Sequence, residues 1–348
     1  MAWGVAHTAV APPFKGIRVL GIPITICVLI GLALAFDFLN GFHDSSNIVA
    51  TMIASRALSG RQALTITALA EFSGPFLFGV AVATTIGNEV LTISEIKLFV
   101  ILAALIASIV WNIITWWLGI PSSSSHALVG GLIGAAVIEG GWGVVKLAGL
   151  GKVVLALAIS PLVGLIAGYL VMKVVLFLAR GATPNINTFF KRSQIMTAVA
   201  LALSHGTNDA QKTMGIVTLG LVSAGVLPTF RVPLWVVALC AAAIAAGTAT
   251  GGWRLIKTLG SKFFKVRPVH GFTTQVASAA VILGAALLGG PVSTTQVVSS
   301  AIMGVGSAER VSKVRWGTAG QIIVAWVTTI PFAAMLAAGL AVILRRWI

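Results

Sequence analysis

Residues 37–47, D-F-L-N-G-F-H-D-S-S-N, place two aspartates, two asparagines and a histidine at the end of an apolar run. A charged side chain at the centre of a membrane helix costs on the order of 2.5–3.5 kcal/mol on insertion scales, so it persists where something uses it. Of the eight acidic residues, Glu89, Glu95, Glu139 and Glu309 fall in loops, while Asp37, Asp44, Glu71 and Asp209 fall inside apolar segments. Carboxylates and amides gathered there offer oxygen atoms to a cation, or exchange a proton. For Asp37 and Glu71 a helix-cap or interfacial role is the competing reading.

A second polar type recurs beside prolines. Ser122 to Ser125 follow Pro121, and Ser293, Thr294 and Thr295 follow Pro291. Proline breaks the incoming helix, and the next helix starts within the hydroxyl run. A helix start exposes backbone N–H groups and positive dipole, and hydroxyls add donors. Two such starts facing each other make an anion site without arginine. Ordinary N-capping explains a single hydroxyl run but leaves the second copy unexplained.

Lys212 is the only lysine deep in an apolar segment. It offsets Asp209, faces an anion, or snorkels to an interface. His43, His126 and His205 lie within the motifs, where an imidazole can handle protons or serve structure.

The motifs are duplicated. N-G-F-H-D-S-S-N (40–47) aligns with H-G-T-N-D-A-Q-K (205–212), pairing Gly41 with Gly206, Asp44 with Asp209 and Asn47 with Lys212. G-I-P-S-S-S-S-H-A-L-V-G-G-L-I-G-A-A-V (119–137) aligns with G-G-P-V-S-T-T-Q-V-V-S-S-A-I-M-G-V-G-S (289–307) at nearly the same offset. Gly41 and Gly206 permit unwound backbone, which would expose carbonyls to an ion.

Each half therefore reads as a span ending in the first motif, a second span (63–86; 233–253), a hairpin and a last long span (153–178; 317–343). The hairpin enters at 97–118 or 270–288. Its return arm, 126–138 or 296–306, is too short to cross a hydrocarbon core of about 30 Å at 1.5 Å per residue, so it re-enters. The loops flanking the first hairpin hold Lys97, Lys146 and Lys152 against Glu89, Glu95 and Glu139. Those flanking the second hold Arg254, Lys257, Lys262, Lys265, Arg267, Arg310, Lys313 and Arg315 against Glu309 alone. The positive-inside rule puts the second pair in the cytoplasm and the first outside, so the halves are inverted. Residues 1–179 form the first repeat, 180–192 a cytoplasmic linker, and 193–348 the second repeat. Basic residues near both termini, Lys15 and Arg18 among them, argue mildly against this orientation.

Composition sets the class. The 348 residues are 58% hydrophobic and 9% charged, against about 25% charged in a soluble domain. Recurrent apolar windows of membrane-crossing length make an all-α polytopic membrane protein, and no alternating strands suggest a β-barrel. The net charge of +15 is scattered through short loops, as topology requires, and does not form a nucleic-acid surface. Cys27 and Cys240 sit in apolar runs, with no disulfide framework or metal spacing. Lys15, Arg18, the following apolar run and A-L-A at 33–35 resemble a secretory signal, but cleavage would strip the first motif of its helix. Inverted repeats with broken helices and re-entrant hairpins are the build of a secondary transporter, whose site lies at the repeat interface. A hydrolase would need a G-x-S-x-G elbow or an H-E-x-x-H pair, neither of which is present. A passive channel would not need carboxylates matched across the repeat.

G-F-H-D-S-S-N and G-T-N-D-A-Q-K resemble the duplicated G-x-N-D signature of the inorganic phosphate transporter family. P-S-S-S-S-H and P-V-S-T-T-Q resemble that family's P-x-S-x-T-H element, and the likeness is greatest to bacterial low-affinity phosphate permeases. The resemblance implies cation-coupled symport of phosphate, free or as a metal–phosphate complex, across a bacterial inner membrane. It implies phosphate contacts at Ser123, Ser124, Ser125, Ser293, Thr294 and Thr295, and coupling-ion ligands at Asp44, Asn47, Asn208 and Asp209. Asn40, His43, Glu71 and Lys212 are accessory candidates. The partners are then inorganic phosphate, a monovalent cation (H⁺ or Na⁺) and the lipid bilayer. No cofactor, resident metal or nucleic acid is expected, and a homodimer is allowed. His43 stands where many relatives carry Asn and Gln296 where many carry His, and a sulfate transporter of the same build is the alternative.

Overall fold

The computed structural model describes residues 18–19, 22–92, 96–261 and 266–346. Lys15, Glu95, Lys262 and Lys265 lie outside the described residues. Within them the chain is almost wholly helical, apart from a two-residue antiparallel ribbon pairing Arg18–Val19 with Ile22–Pro23. The helices run α1 (Ile24–Ala54), α2 (Gly60–Leu77), α3 (Ala81–Thr84), α4 (Leu98–Leu118), α5 (Ser124–Gly140) and α6 (Leu147–Leu178). Then follow α7 (Ile186–Ser223), α8 (Leu234–Thr250), α9 (Trp253–Ser261), α10 (Pro268–Leu287), α11 (Thr294–Glu309) and α12 (Trp316–Leu344).

Among the described residues, six helical segments are long and apolar enough to cross a membrane: α1, α4, α5 with its following 3₁₀ turn, α6, α10 and α12. A seventh arises if α2 and the helix after it, bent by 71°, count as one broken span. The surface matches a hydrocarbon solvent. Leu147, Leu155, Leu162, Leu170 and Leu178 lie exposed along α6, whereas Asp44, Glu71, Asp209, Lys212 and the hairpin hydroxyls are buried. This is a multi-pass membrane protein with a polar interior.

The first motif departs from expectation. The helices α1 and α7 run unbroken through Gly41 and Gly206, so neither glycine unwinds the backbone. Both instead allow two helices to touch. A Cβ on Gly41 would stand 2.0 Å from the Ile244 carbonyl oxygen of α8, and one on Gly206 2.3 Å from the Glu71 oxygen of α2. The breaks come elsewhere, between α2 and α3, between α8 and α9, and at the hairpin turns. The polar stretch 180–192 is also only partly a loop, because α7 begins at Ile186.

Both hairpins have the expected form. Gly119 (φ 68°) closes α4 and Gly289 (φ 69°) follows α10, left-handed positions that suit glycine. The return arms are longer than expected, at 17 residues for α5 and 16 for α11, or about 24–26 Å at 1.5 Å per residue. Their open ends are tied. Lys97 Nζ, before α4, lies 2.6 Å from Glu139 Oε1 near the end of α5. Arg267, before α10, pairs with Glu309 at the end of α11, which also binds Lys313. A hairpin whose start and end meet in this way enters and leaves on one side. The tips meet too, Ser125 Oγ donating to the Val292 carbonyl at 3.3 Å.

The return helices exchange partners. Helix α5 packs on α12 and α11 on α6. A Cβ on Gly134 would lie 2.1 Å from the Ala334 oxygen, and one on Gly304 2.1 Å from the Leu165 oxygen. Each half thus covers the hairpin of the other.

Candidate ion and anion site

Four elements meet where the tips touch: α1 and α7 bring the first motif, and the starts of α5 and α11 bring the second. Asp44 (1% exposed) and Asp209 (0%) face each other across the tip of the second hairpin. Thr294 Oγ1 lies 2.9 Å from Asp209 Oδ2 and 3.3 Å from Asp44 Oδ2. Thr295 Oγ1 donates to Asp44 Oδ1 at 2.9 Å and accepts from Asn47 Nδ2 at 3.1 Å. These contacts join residues that the sequence separates by 85 to 251 positions.

The other half repeats the plan with one change. Lys212 Nζ donates to Ser125 Oγ at 2.6 Å, to the Val292 carbonyl at 2.8 Å, and to Asp209 Oδ1. Lys212 is 2% exposed, so it does not snorkel. Ser124 Oγ donates to Asn40 Oδ1 at 2.5 Å.

The histidines extend the network outward. His43 Nδ1 lies 2.7 Å from Asp44 Oδ1. His205 stands between the carboxylates, its Nε2 3.2 Å from Asp209 and 3.8 Å from Asp44, its Nδ1 2.7 Å from Glu71 Oε1. Glu71 is therefore part of the site and not a helix cap. One ligand atom each from Asp44, His205 and Asp209 fall within 4.8 Å of one another, a spacing that a cation can bridge. The sequence marked His205 as a motif residue without assigning it to this cluster. The missing signal was its distance partner, Glu71, on another helix.

Other candidates sit further out. Ser123 and Ser293 are N-caps, their hydroxyls accepting from the backbone N–H of His126 (3.1 Å) and Gln296 (3.3 Å). Asn208 donates to the Gly290 carbonyl at 3.2 Å, and its Oδ1 is buried without a partner. Asp37, about two turns up α1 from Asp44, accepts from Thr213 at 2.9 Å. His126 Nδ1 lies 2.7 Å from Ser123 Oγ, beside the tip.

The chemistry follows from position. The first-turn N–H groups of α5 and α11 point toward the junction, where the capping hydroxyls take up only one each. An anion arriving there meets two positive helix ends, Lys212, and hydroxyl donors otherwise given to Asp44, Asp209 and Asn40. Two largely apolar grooves of about 700 and 540 Å³ run along α6 against α10 and along α6 against α12, the first reaching Gly290 and Val292 and the second His126 and Gln296 near the hairpin tips.

The sequence pattern of the "Phosphate transporter family" matches residues 40–182 and 178–337, so both halves carry it. The chain belongs to that family. As a phosphate transporter family member it is 43% identical over 324 residues to a "probable low-affinity inorganic phosphate transporter" of Bacillus subtilis (strain 168), covering 92% of this chain and 96% of the relative. A protein of the same name from Rhizobium meliloti (strain 1021) is 46% identical over 312 residues, 89% of this chain and 93% of the other. The fold is similar to the solved structure titled "The sodium-dependent phosphate transporter", with a TM-score of 0.84 at 25% identity, covering 93% of this chain and all of that one. These relatives are transporters and not enzymes.

Proposed function

We propose that this member of the family moves inorganic phosphate across a bacterial inner membrane by symport with a monovalent cation. In this reading residues 1–179 and 193–348 are repeats of inverted topology, and 180–192 faces the cytoplasm. One observation carries it: Asp44 and Asp209, matched across the repeat, meet at Thr294 on the tip of a hairpin. Cation ligands and anion donors are thus the same hydrogen-bonded set, so binding one ligand rearranges the partners of the other.

Phosphate takes the hydroxyls and free N–H groups at the starts of α5 and α11, and the cation takes Asp44 and Asp209. Asn47 supports the cation ligands through Thr295, and Asn208 through its unpartnered Oδ1. Carrying a phosphate dianion into a negative interior is opposed by about 2.3 kcal/mol per charge per 100 mV, so cations must accompany it. His43 and His205 against both carboxylates favour a proton, because imidazole is a poor ligand for a hard alkali cation. The name of the structural neighbour, a sodium-dependent protein, supports cation coupling and makes sodium the competing choice.

Phosphate is favoured over sulfate on chemical grounds. Near neutral pH phosphate carries a proton that it can donate, whereas sulfate only accepts. Asp44, Asp209 and Asn40 supply acceptors beside the hydroxyls, and a sulfate, with no proton to donate, would leave them without a hydrogen bond. The relatives' names support the same choice.

Proteoliposome uptake tests the reading. Purified protein in sodium-free vesicles with an inward proton gradient should accumulate radiolabelled phosphate, and excess sulfate should not compete. Uptake that appears only on adding sodium would reassign the cation. Equal competition by sulfate would reassign the anion.

A further inference from the structure

We infer that Lys212 is a tethered cation, an ammonium occupying on one half of the site the position that an exchangeable monovalent cation takes on the other. The inference rests on the symport reading above and specifies how many cations can travel.

The two halves present matching triads. Asp44, Asn47 and Thr295 form one; Asp209, Lys212 and Ser125 form the other, each residue aligned with its counterpart in the duplicated motifs. The contacts match as well. Asn47 Nδ2 reaches Thr295 Oγ1 at 3.1 Å, and Lys212 Nζ reaches Ser125 Oγ at 2.6 Å. The triads differ in what sits against the carboxylate: the Thr295 hydroxyl in the first, the ammonium in the second. The Lys212 ammonium lies among a carboxylate, a hydroxyl and a main-chain carbonyl, the last being Val292 at 2.8 Å. An ammonium has three donors, and these three oxygens use all of them. Carboxylate, carbonyl and hydroxyl oxygen is also the surrounding that a hard cation prefers.

In the first triad no ammonium fills that place, and the group against Asp44 is the His43 imidazole, whose Nδ1 lies 2.7 Å from Oδ1. Thr295 bonds Asp44 directly, and Asn47 Oδ1 is buried with no partner. An unpartnered amide oxygen beside a buried carboxylate is what an arriving cation would satisfy. In the second triad Asp209 Oδ1 is already paired with the ammonium, and the orphaned amide oxygen nearby, Asn208 Oδ1, belongs to a residue outside the triad. One half therefore has a place for a mobile cation, and the other has a fixed one that cannot dissociate. Neutralising Asp209 from within keeps the anion site ready without a second ion, and each phosphate then moves with one fewer cation than a chain bearing asparagine at both positions.

Removing the ammonium should leave Asp209 buried and uncompensated. Lys212→Asn copies the first triad into the second and should restore an exchangeable site. In proteoliposomes clamped at known potentials, the positive charge moved per phosphate, read from reversal potentials, should rise by one in this variant. Sodium should then stimulate its uptake about 5- to 150-fold, the usual range of coupling between sites, at a concentration that leaves wild type unaffected. Lys212→Arg, which keeps the fixed charge, should gain no sodium stimulation. An active Lys212→Asn with wild-type charge per phosphate and no new cation dependence would overturn the inference. If Lys212→Asn does not fold, Asn47→Lys decides: in folded protein a second tethered ammonium should abolish cation-driven phosphate accumulation, and accumulation at the wild-type level overturns the proposal. Wild type that accumulates phosphate under no cation gradient at all would instead defeat the symport reading, and this inference with it.

Discussion

Asp44 and Asp209 share the hydroxyl of Thr294, which stands 2.9 Å from the second carboxylate and 3.3 Å from the first. A threonine hydroxyl has one proton to give, so it serves one carboxylate at a time. The shorter contact makes Asp209 its acceptor, and Asp44 takes the proton of Thr295 at 2.9 Å instead. Under the proposed reading, a cation on these carboxylates frees the hydroxyl protons that they now accept, and a phosphate can then take those protons, which links the two ligands.

Thr294→Val should remove that link at almost constant volume. Hydrogen bonds to charged partners contribute about 1.5–3 kcal/mol, so the KM for phosphate should rise roughly tenfold to a hundredfold, while Thr294→Ser stays near wild type. Uptake kinetics in vesicles check this, and a Thr294→Val with unchanged KM would place the anion elsewhere.

Gly41→Ala and Gly206→Ala should damage the fold to a similar degree. Each added methyl would meet main-chain oxygen at 2.0 and 2.3 Å, which cannot rotate away as a side chain could. Overpacking of this kind costs about 1–3 kcal/mol or more. Both variants should show lower yield and a lower unfolding temperature in detergent, and a well-folded alanine variant at either site would contradict the close approach.

Topology can be read by labelling in a background lacking Cys27 and Cys240. Lys146 and Lys313 are both exposed. Lys146→Cys should react with an impermeant thiol reagent from outside only, and Lys313→Cys from the cytoplasm only. Reaction of both from one face would remove the inversion of the halves.

The tie at the open end of the second hairpin should depend on pH. Burial raises the Glu309 carboxyl, but hydrogen bonds from Lys313 and His270 and the nearby Arg267 charge prevail and hold it at about 2, below the ordinary 4.5. A carboxyl lowered on folding contributes stability that is complete above the ordinary value and lost as pH falls through the folded one. Unfolding temperatures between pH 4.5 and pH 2 should fall more steeply for wild type than for Glu309→Gln. Parallel curves would mean that the tie contributes nothing.

Much of this was legible in the chain. Long apolar windows gave the spans, and duplicated motifs with proline and hydroxyls gave both hairpins, because helix breaking and capping are local. The six hydroxyls and four ion-ligand candidates come from the family resemblance, and the structure brings Asp44, Asn47, Asp209, Thr294 and Thr295 together. What escaped depends on distance in space. Gly41 and Gly206 read as flexible because a glycine's neighbour across a helix interface leaves no trace in its own motif. Glu71 stays open between an accessory site role and a cap because His205, its partner at 2.7 Å, lies on α7. The capping roles of Ser123 and Ser293 were local and foreseeable, but which hydroxyl caps and which faces the carboxylates is decided by where each helix begins.

The exchange of partners between hairpins and final helices has one more consequence. Helix α5 rests on α12 and α11 on α6, so neither half owns the surface that covers its own hairpin. Expressed alone, residues 1–179 would leave α5 without its glycine-lined seat against Ala334. The duplicated halves are thus obligate complements, like two crossed hands each holding the other's wrist. Any tilt of one tip must therefore be met by the outer helix of the opposite half.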